Sequence, residues 1–239
     1  MNRIKVDEYK KKKIKKGDLI IDIKSDINIL IDEIKYDKYI FNIYDGNINI
    51  FSNISNYNNK IKFVFNIYNG MLVLNNMSDN CHDQKQVVNL YGTSSSIKII
   101  NSYLCYDKQE IDVEIFHNAI KTKSEVYNYA ITKDKGTIKF NLKTKVNKGM
   151  KDSKVSQNGR IITLNKKNDN EINPVLLIDE MNSTANHSAY IGEFKNDELF
   201  YMMSRGIDRK SATKLLMYGF LIGTMEISEE EKEEVEKKL

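Results

Sequence analysis

Short apolar–polar alternations run through the middle of the chain, from about residue 39 to residue 164, and constrain the fold more than any other feature. A period of two places every second side chain on one face of a β-strand, and the apolar residues here are mostly Ile, Val, Leu and Phe. Gly-containing dipeptides, which suit tight turns, separate the segments. They are Asp45-Gly46, Asn69-Gly70, Gly92-Thr93, Lys135-Gly136 and Asn158-Gly159. The pattern predicts a mainly β fold with many short strands.

Many short strands can build either a β-sandwich or a β-solenoid, and the alternation alone does not separate the two. Frequent Asn inside the strands slightly favours a solenoid, because stacked Asn side chains can hydrogen-bond between successive turns. AT-rich coding, indicated by heavy use of Lys, Ile and Asn, explains the same Asn content. We find no repeat of fixed length. From the residues alone, both architectures stay open.

The pattern changes near the end of the chain, where helix-forming composition begins. Asn196 to Met203 predicts a short helix, and Gly206 stands where a left-handed residue would end it. Asp208 is a suitable N-cap for a second helix. That helix carries an apolar stripe made by Ala212, Leu215, Leu216, Gly219 and Phe220. Ser228 and Glu231 form a capping box that predicts a third, highly charged helix.

Both ends of the chain are strongly charged, although the formal net charge is only +4. A Lys run from Lys10 to Lys16 opens the chain, and a Glu-rich run from Glu226 to Glu236 closes it. Such runs usually form solvated surfaces. The Lys run lacks the interleaved aromatic residues of a stacking surface, so we expect no nucleic-acid partner. The head, Met1 to about Asp37, has mixed apolar and charged residues around Leu19 to Ile34 and could hold a strand and a helix.

We expect neither a membrane span nor a secreted disulfide framework. The longest apolar stretch, Leu215 to Met225, is interrupted by two glycines and is too short to cross a bilayer. Two cysteines, Cys81 and Cys105, and no signal-peptide pattern favour a reducing, cytoplasmic location. His82 adjoins Cys81, but no second pair stands at zinc-site spacing. We expect Cys105 to be buried as a small apolar side chain.

The residues do not form a recognisable catalytic centre. The sequence has no phosphate-binding Gly-rich loop, no nucleophile elbow and no HExxH zinc motif. His117 and His187 could each orient a group at a strand end, although a lone histidine is usually structural. A non-enzymatic scaffold or interaction protein fits these observations best.

The tail resembles one known family. Asp197 to Ile207 contains an acidic residue and Leu-Phe-Tyr followed by Ser-Arg-Gly-Ile, which is similar to the hallmark of the SufB/SufD family. The apolar stripe of the second helix resembles the helix that follows this hallmark in the family. Upstream, Pro174 to Ile178 resembles the family's Pro-x-Leu-x-Ile strand, and His187 opens a His-x-Ala-x-x-Gly frame that ends at Gly192.

The resemblance implies a subunit of the SUF iron–sulfur cluster assembly system. It implies a right-handed parallel β-helix core over residues 39–193, preceded by a mixed, basic segment over residues 1–38. A helical subdomain over residues 194–239 would dock a SufC-type ATPase. The implied partner-binding residues are Phe200, Tyr201, Arg205, Gly206, Leu215, Leu216, Gly219 and Phe220.

The resemblance is closer to SufD than to SufB, because Ser204 precedes Arg-Gly-Ile and no cysteine precedes the Pro174 strand where SufB would supply a cluster-handling thiol. It implies that two β-helices pair side by side, with a SufB-type subunit or a second copy of this chain as partner. The family histidine that matches His187 lies at that interface. His187 is therefore a candidate iron or cluster ligand. The cluster would be transient there, and this chain alone would bind no cofactor.

Other classes of protein make different predictions. An adhesin-like or carbohydrate-binding β-solenoid, without a role in cluster assembly, predicts a secretion signal and exposed rows of aromatic side chains. Neither is evident in the sequence. A β-helical lyase or hydrolase would need acidic residues clustered on one face, and the spacing shows no clear cluster.

Overall fold

The computed structural model describes residues 3–10, 12–15, 17–55, 57, 59–79, 83–165 and 168–238. In this part of the chain sixteen strands form two eight-stranded sheets, A and B. Sheet A contains β1 (Ile4–Lys5), β4 (Ile27–Ile31), β6 (Asn47–Ser55), β8 (Met71–Asp79), β10 (Ser96–Cys105), β12 (Lys123–Thr132), β14 (Lys154–Thr163) and β16 (Thr184–Gly192), in spatial order. Sheet B contains β2 (Lys12–Lys15), β3 (Asp18–Ile23), β5 (Lys38–Ile43), β7 (Ile61–Ile67), β9 (Gln84–Leu90), β11 (Lys108–His117), β13 (Thr137–Val146) and β15 (Glu171–Ile178).

The strands coil into a parallel β-solenoid of about seven turns. From β3 onward the chain alternates between the two sheets, and each strand pairs in parallel with the strand two places further along. Inward-facing residues fill the lumen between the sheets; Leu74, Ile99 and Val126, for example, share one register position and are buried. The prediction of a mainly β, β-helical core is confirmed.

Asn side chains hydrogen-bond between successive turns, as expected for a solenoid. Inside the lumen, Asn76 donates to Asn101 Oδ1 at 3.1 Å, and Asn101 donates to Asn128 Oδ1 at 2.7 Å. A second row runs along the outer face of sheet B, where Asn66 donates to Asn42 and Asn89 donates to Asn66, both at 2.9 Å. In both rows an amide of one turn bonds to an amide of the next turn, which is a pattern that stacked parallel strands permit.

The turns lengthen along the chain, which is why the sequence has no fixed repeat. Ile27 pairs with Ile48, which lies 21 residues later, whereas Ser124 pairs with Val155, which lies 31 residues later. The strands remain in register because the extra residues enter the connections and longer strands. A repeat search at constant period cannot align such turns.

Four of the five turn dipeptides lie between strands, but Asn158-Gly159 does not. At Gly70, φ is +96° and a Cβ would lie 2.0 Å from the carbonyl oxygen of Gly46 in the turn below, so only glycine fits. Asn158-Gly159 instead lies inside β14. A Cβ at Gly159 would lie 2.8 Å from a methyl carbon of Ile172 across the lumen, so this glycine provides room for a neighbour.

The head of the chain is part of the solenoid. β3 pairs with β5 and β4 pairs with β6, both in parallel, and β2 folds back antiparallel on β3. The predicted helix in the head is wrong: the described residues there contain only a 3-10 turn, Val6–Glu8. Buried and half-buried residues alternate through β3, which is a strand pattern that the mixed composition hides.

Three helices follow β16: α1 (Asn196–Ser204), α2 (Arg209–Ile222) and α3 (Glu229–Glu236). The predicted signals are confirmed at each boundary. Gly206 ends α1 with φ of +87°, and Asp208 accepts hydrogen bonds from two main-chain N–H groups of α2. Ser228 and Glu231 form the reciprocal capping box of α3. No helix of the described residues is long and apolar enough to cross a membrane.

The helices cover the outer face of sheet A and create a second apolar core. Outward-facing residues of β6, β8, β10, β12 and β14 pack against α2 and the segment after it. This core contains Phe51, Met77, Ile100, Leu104, Tyr129, Ile131, Ile162, Met217, Leu221, Ile222, Met225 and Val235. Ser102 Oγ also donates to the carbonyl oxygen of Leu221 at 2.6 Å. The middle strands of sheet A, β6 to β14, therefore carry apolar core on both faces, and the outer core fixes α2 to the solenoid.

Candidate functional site

The solenoid ends in an open rung formed by β15 and β16, each the last strand of its sheet. No described strand pairs with the outer edge of either one, so main-chain N–H and C=O groups face outward there. Val175, Leu177 and Ile191 expose apolar side chains on the same rung. An unpaired edge with exposed apolar residues is a template for association with another chain.

The opposite end of the solenoid is different. There, β2 covers the edge of sheet B and carries Lys12 and Lys13 from the sequence's Lys run. Lysines on an edge strand oppose further strand pairing, because a neighbouring strand would have to desolvate their charges. The open rung is thus the end that is better suited to pairing.

His187 lies in the middle of β16 and is exposed. It shares a register position with Gln157 on β14, whose side chain is buried in the lumen. Register-matched residues of parallel strands face the same side, so His187 faces the mouth of the lumen. The predicted ligand is therefore located on the open rung.

His187 is not part of a preformed metal site. Among the residues that the structure describes, no three His, Cys, Asp or Glu side chains lie close enough together to hold a metal ion. The neighbouring Cys81 and His82, from which we expect no zinc site, lie outside those residues. Cys105 is fully buried, as predicted, and its thiol donates to Gln109 Oε1 at 3.2 Å.

His117, the other histidine considered from the sequence, is a buried structural residue. Its ring nitrogens lie 2.7 Å from Thr122 Oγ1 and 2.8 Å from Ser124 Oγ. Burial lowers the pKa of His117 to about 4, so the ring is neutral at physiological pH. With both nitrogens occupied, His117 has no free position for a ligand.

Helix α1 presents apolar side chains to solvent. None of its residues is buried, and Phe200 and Tyr201 are 74% and 61% exposed. The Arg205 guanidinium lies 5.4 Å from the centre of the Tyr201 ring. Leu215 on α2 extends this exposed surface, which we call the helical surface: Phe200, Tyr201, Arg205 and Leu215. Large exposed aromatic residues grouped in this way are typical of protein-binding surfaces.

A groove of about 670 Å³ separates the helices from the last strands of sheet A. Leu216 and Gly219, both predicted partner-binding residues, line it. Arg160 lies in the groove with its guanidinium 5.8 Å from the Tyr190 ring centre and 5.4 Å from the Phe220 ring centre. The groove therefore joins the open rung to the helical surface.

Phe220 differs from the other predicted partner-binding residues. It is half-buried, and its ring makes edge contacts with Tyr129 at 5.3 Å and Phe194 at 6.1 Å between ring centres. These contacts anchor α2 to β12 and to the segment before α1. Gly206, by contrast, is exposed and ends α1. The prediction that Phe220 binds a partner stays untested, but Phe220 has a structural role as well.

An exposed row of stacked tyrosines was not evident from the sequence. Tyr44, Tyr68 and Tyr91 follow three successive strands of sheet B, with ring centres 5.1 and 5.3 Å apart. Each precedes or adjoins a turn glycine, which is the signal that could have revealed the row. Sugar rings stack on free aromatic faces, whereas in this row Tyr68 is stacked between Tyr44 and Tyr91. The row therefore gives little support to a carbohydrate-binding solenoid.

Comparison with known proteins points to one family. The model of the SufBD core domain of SUF-system FeS cluster assembly matches residues 72–220. This range contains the open rung, the groove and the helical surface. It begins within β8, so the first turns of the solenoid lie outside the match.

Individual relatives agree with the family match. The chain is 31% identical over 147 residues to the iron–sulfur cluster assembly protein SufD of Bacillus subtilis, covering 61% of this chain and 34% of that protein. It is 24% identical over 113 residues to a SufBD family protein of Staphylococcus saprophyticus, covering 47% of this chain and 24% of that protein. A SufBD family protein of Pyrococcus horikoshii is 47% identical over 47 residues, covering 20% of this chain and 10% of that protein. The matched segments span about a third or less of these relatives.

Proposed function

Because the chain belongs to the SufB/SufD family, we propose that it is a SufD-like scaffold subunit of an iron–sulfur cluster assembly complex and performs no catalysis itself. The main support for the proposal is the position of the two exposed surfaces within the family match. The family match contains the open rung and the helical surface, which no other described element of the chain covers. The complex would work in the cytoplasm, where cysteines stay reduced.

The open rung is the pairing surface for a SufB-type subunit or, in its absence, for a second copy. Its free edge can accept another strand, and Leu177 and Ile191 supply apolar area to the contact. This geometry favours an end-to-end arrangement over the side-by-side pairing expected from the family resemblance. The Lys-covered end of the solenoid would stay free.

The helical surface docks a SufC-type ATPase. Phe200 and Tyr201 are large, exposed and close to Arg205, which is the composition of a binding hot spot. α2 is fixed to β6–β14 of sheet A by the second apolar core, and α1 follows β16 directly in the chain, so a pull on the helices is transmitted to the solenoid. ATP-driven dimerisation of the ATPase would thereby open the paired rungs and admit iron and sulfur.

His187 holds iron at the paired rungs while the cluster forms. Neutral imidazole is a suitable iron ligand, and a partner thiolate or carboxylate would complete the ligand set. The position suits this role, because pairing at the open rung would enclose His187 between the two chains. The cluster is cargo of the complex and leaves it when complete.

Anaerobic co-expression with the SufB-type and SufC-type proteins of the same genome tests the proposal. We expect tagged wild-type chain to purify with both. Phe200→Asp should lose the ATPase and Leu177→Asp should lose the SufB-type subunit, because each places a charge in an apolar contact. His187→Ala should keep the complex and lose iron. A wild-type chain that binds neither protein would refute the assignment.

Matched controls come from surfaces that the proposal leaves unused. Tyr91→Asp changes an exposed aromatic residue of the stacked row, and Ile14→Asp changes an exposed aliphatic residue at the Lys-covered end. Both variants should purify with both partners. If Ile14→Asp released the SufB-type subunit and Leu177→Asp did not, pairing would occur at the opposite end.

A further inference from the structure

The second apolar core holds α2 to sheet A but does not extend to the open rung. It includes outward-facing residues of β6, β8, β10, β12 and β14, and no residue of β16, which the structure describes throughout. The groove of about 670 Å³ lies between α2 and β16, and residues of both elements line it, among them Phe220 and Tyr190. A side-chain contact that links the two elements therefore has to cross this groove.

Arg160 makes that crossing. It lies on β14, where it shares a register position with Tyr190 on β16. Its neighbours Gly159 and Ile161 are buried towards the lumen, so Arg160 faces outward. Its guanidinium carbon lies 5.8 Å from the centre of the Tyr190 ring and 5.4 Å from the centre of the Phe220 ring. One side chain thus contacts both the last strand of sheet A and the helix above it.

The two rings are the contacts that position the Arg160 guanidinium. In the described part of the chain its N–H groups form no hydrogen bond or ion pair, although Glu193 and Glu198 also line the groove. A guanidinium is flat and weakly hydrated, and it lies favourably on aromatic rings. Because one group serves both contacts, a displacement of either ring changes the best position of the guanidinium for the other.

Tyr190 is in turn fixed to the end of β16. Its hydroxyl donates to the carbonyl oxygen of Glu193 at 3.2 Å. A Cβ at Gly192 would lie 2.5 Å from the same hydroxyl, so the Tyr190 side chain lies closely over the end of the strand and glycine leaves room for it. Tyr190 and His187 both belong to β16. A displacement of the Tyr190 ring therefore acts on the strand that carries His187.

We propose that Arg160 is a positioning residue that couples the ATPase-docking helices to the open rung, through its shared contacts with Phe220 on α2 and Tyr190 on β16. Docking of the SufC-type ATPase at the helical surface displaces α2, Phe220 moves the guanidinium, and the guanidinium moves Tyr190. By linkage, pairing at the open rung changes the affinity for the ATPase by the same factor as docking of the ATPase changes the affinity of pairing. The inference rests on the proposed roles of both surfaces.

A mutant cycle in the isolated chain tests the contact without any partner. Tyr190→Leu and Phe220→Leu are made singly and together, in the wild type and in Arg160→Met, and urea unfolding gives the unfolding equilibrium constant of each variant. With Arg160 present, the effect of the double substitution should differ from the product of the single effects by at least about threefold, because the two rings share one partner. In Arg160→Met the single effects should multiply, since the shared partner is gone. The same deviation in both backgrounds, or none in either, overturns the proposal.

Fluorine NMR of the fluorotyrosine-labelled chain tests the transmission itself. The Tyr190 resonance is the one lost in Tyr190→Phe. Saturating SufC-type ATPase should shift this resonance in the wild type, and the shift should be lost in Arg160→Met. Lys24→Met removes a cation–ring contact of 5.7 Å at Tyr44, in the first turns of the solenoid, and should keep the shift. A shift caused by direct contact between Tyr190 and the ATPase would persist in Arg160→Met and would overturn the proposal.

The competing route runs along the chain through the connection from β16 to α1. Phe194 lies in this connection, and its ring centre is 6.1 Å from that of Phe220. Phe194→Leu should keep the Tyr190 shift if Arg160 is the coupling residue. If Phe194→Leu loses the shift and Arg160→Met keeps it, the displacement travels along the chain and the proposal is refuted.

Binding of the ATPase separates this inference from the proposed function. If the ATPase binds the wild type and Phe200→Asp releases it, but the wild-type Tyr190 resonance does not move, the scaffold role stands and the coupling role is refuted. If the ATPase does not bind the wild type, the docking role and the coupling role fail together.

Discussion

Asn75 and Glu226, which are far apart in the sequence, exchange two hydrogen bonds. The Asn75 side-chain amide donates to the carbonyl oxygen of Glu226 at 3.2 Å, and the Glu226 N–H donates to Asn75 Oδ1 at 2.8 Å. Asn75 is fully buried on the outer face of β8. This pair ties the segment between α2 and α3 to the solenoid.

Replacing Asn75 with leucine should therefore destabilise the protein. The change leaves two main-chain groups of Glu226 without partners, at a cost of about 2 kcal/mol. Urea unfolding measures the loss. The control is Asn49→Leu, which removes one bond of 3.1 Å at a half-buried position and should cost less than about 1 kcal/mol. Equal losses in the two variants would contradict the role of Asn75.

The Asn row in the lumen should be more sensitive than the row on the surface. Asn101 bonds to Asn76, Gln86 and Asn128, and all four are buried. Asn101→Leu should cost at least about 3 kcal/mol, because several buried polar groups lose their partners together. Asn66→Leu in the surface row should cost about 1 kcal/mol, since water can replace its bonds.

Thermal or urea unfolding of both variants provides the comparison. If Asn101→Leu lost no more stability than Asn66→Leu, the lumen amides would not be a cooperative network, and apolar packing alone would account for the core.

His117 should make stability depend on pH. Burial lowers its pKa to about 4 from an ordinary value of 6.5. Between these values the unfolded chain binds a proton that the folded chain does not, so stability falls as the pH falls from 6.5 towards 4 and levels off below. The full effect corresponds to about 3 kcal/mol. Urea unfolding across this pH range gives the free energy of unfolding of the wild type and of His117→Gln. The difference between the two isolates the contribution of His117 from that of the carboxylates. A flat difference would contradict the assignment.

Alanine substitutions at Phe200 and Phe220 should have different effects: Phe220→Ala should lower stability, and Phe200→Ala should weaken partner binding. Phe220→Ala removes ring contacts with Tyr129 and Phe194 and should cost about 2 kcal/mol, measured by thermal unfolding. Phe200→Ala removes an exposed side chain and should change stability by less than about 0.5 kcal/mol. Binding of the SufC-type ATPase should nevertheless weaken at least tenfold in Phe200→Ala, as at a binding hot spot. Unchanged affinity would place the ATPase elsewhere.

Local sequence signals predicted the helical tail well. Gly206, Asp208 and the Ser228–Glu231 box each act through atoms within a few residues, so their geometry can be read from the sequence. The Asn content likewise anticipated hydrogen-bonded rows. The choice between sandwich and solenoid needed the family resemblance, because it depends on pairings between strands that are 20 to 30 residues apart.

What the sequence did not reveal depends on contacts between turns. The Asn158-Gly159 dipeptide is typical of a tight turn, but Gly159 lies in a strand, where the close approach of Ile172 across the lumen determines its role. The number of residues per turn varies along the chain, so no fixed spacing in the sequence reveals that Gln157 and His187 share a register position. The Tyr row is hidden for the same reason.

Hydrogen–deuterium exchange of the assembled complex tests whether the open rung is the pairing surface. On addition of the SufB-type subunit, we expect protection of main-chain N–H groups in β16 around His187, whose outer edge is unpaired in the described chain. The edge near Lys12 should show no change. Binding with protection at the Lys-covered end, and none in β15 or β16, would contradict the account.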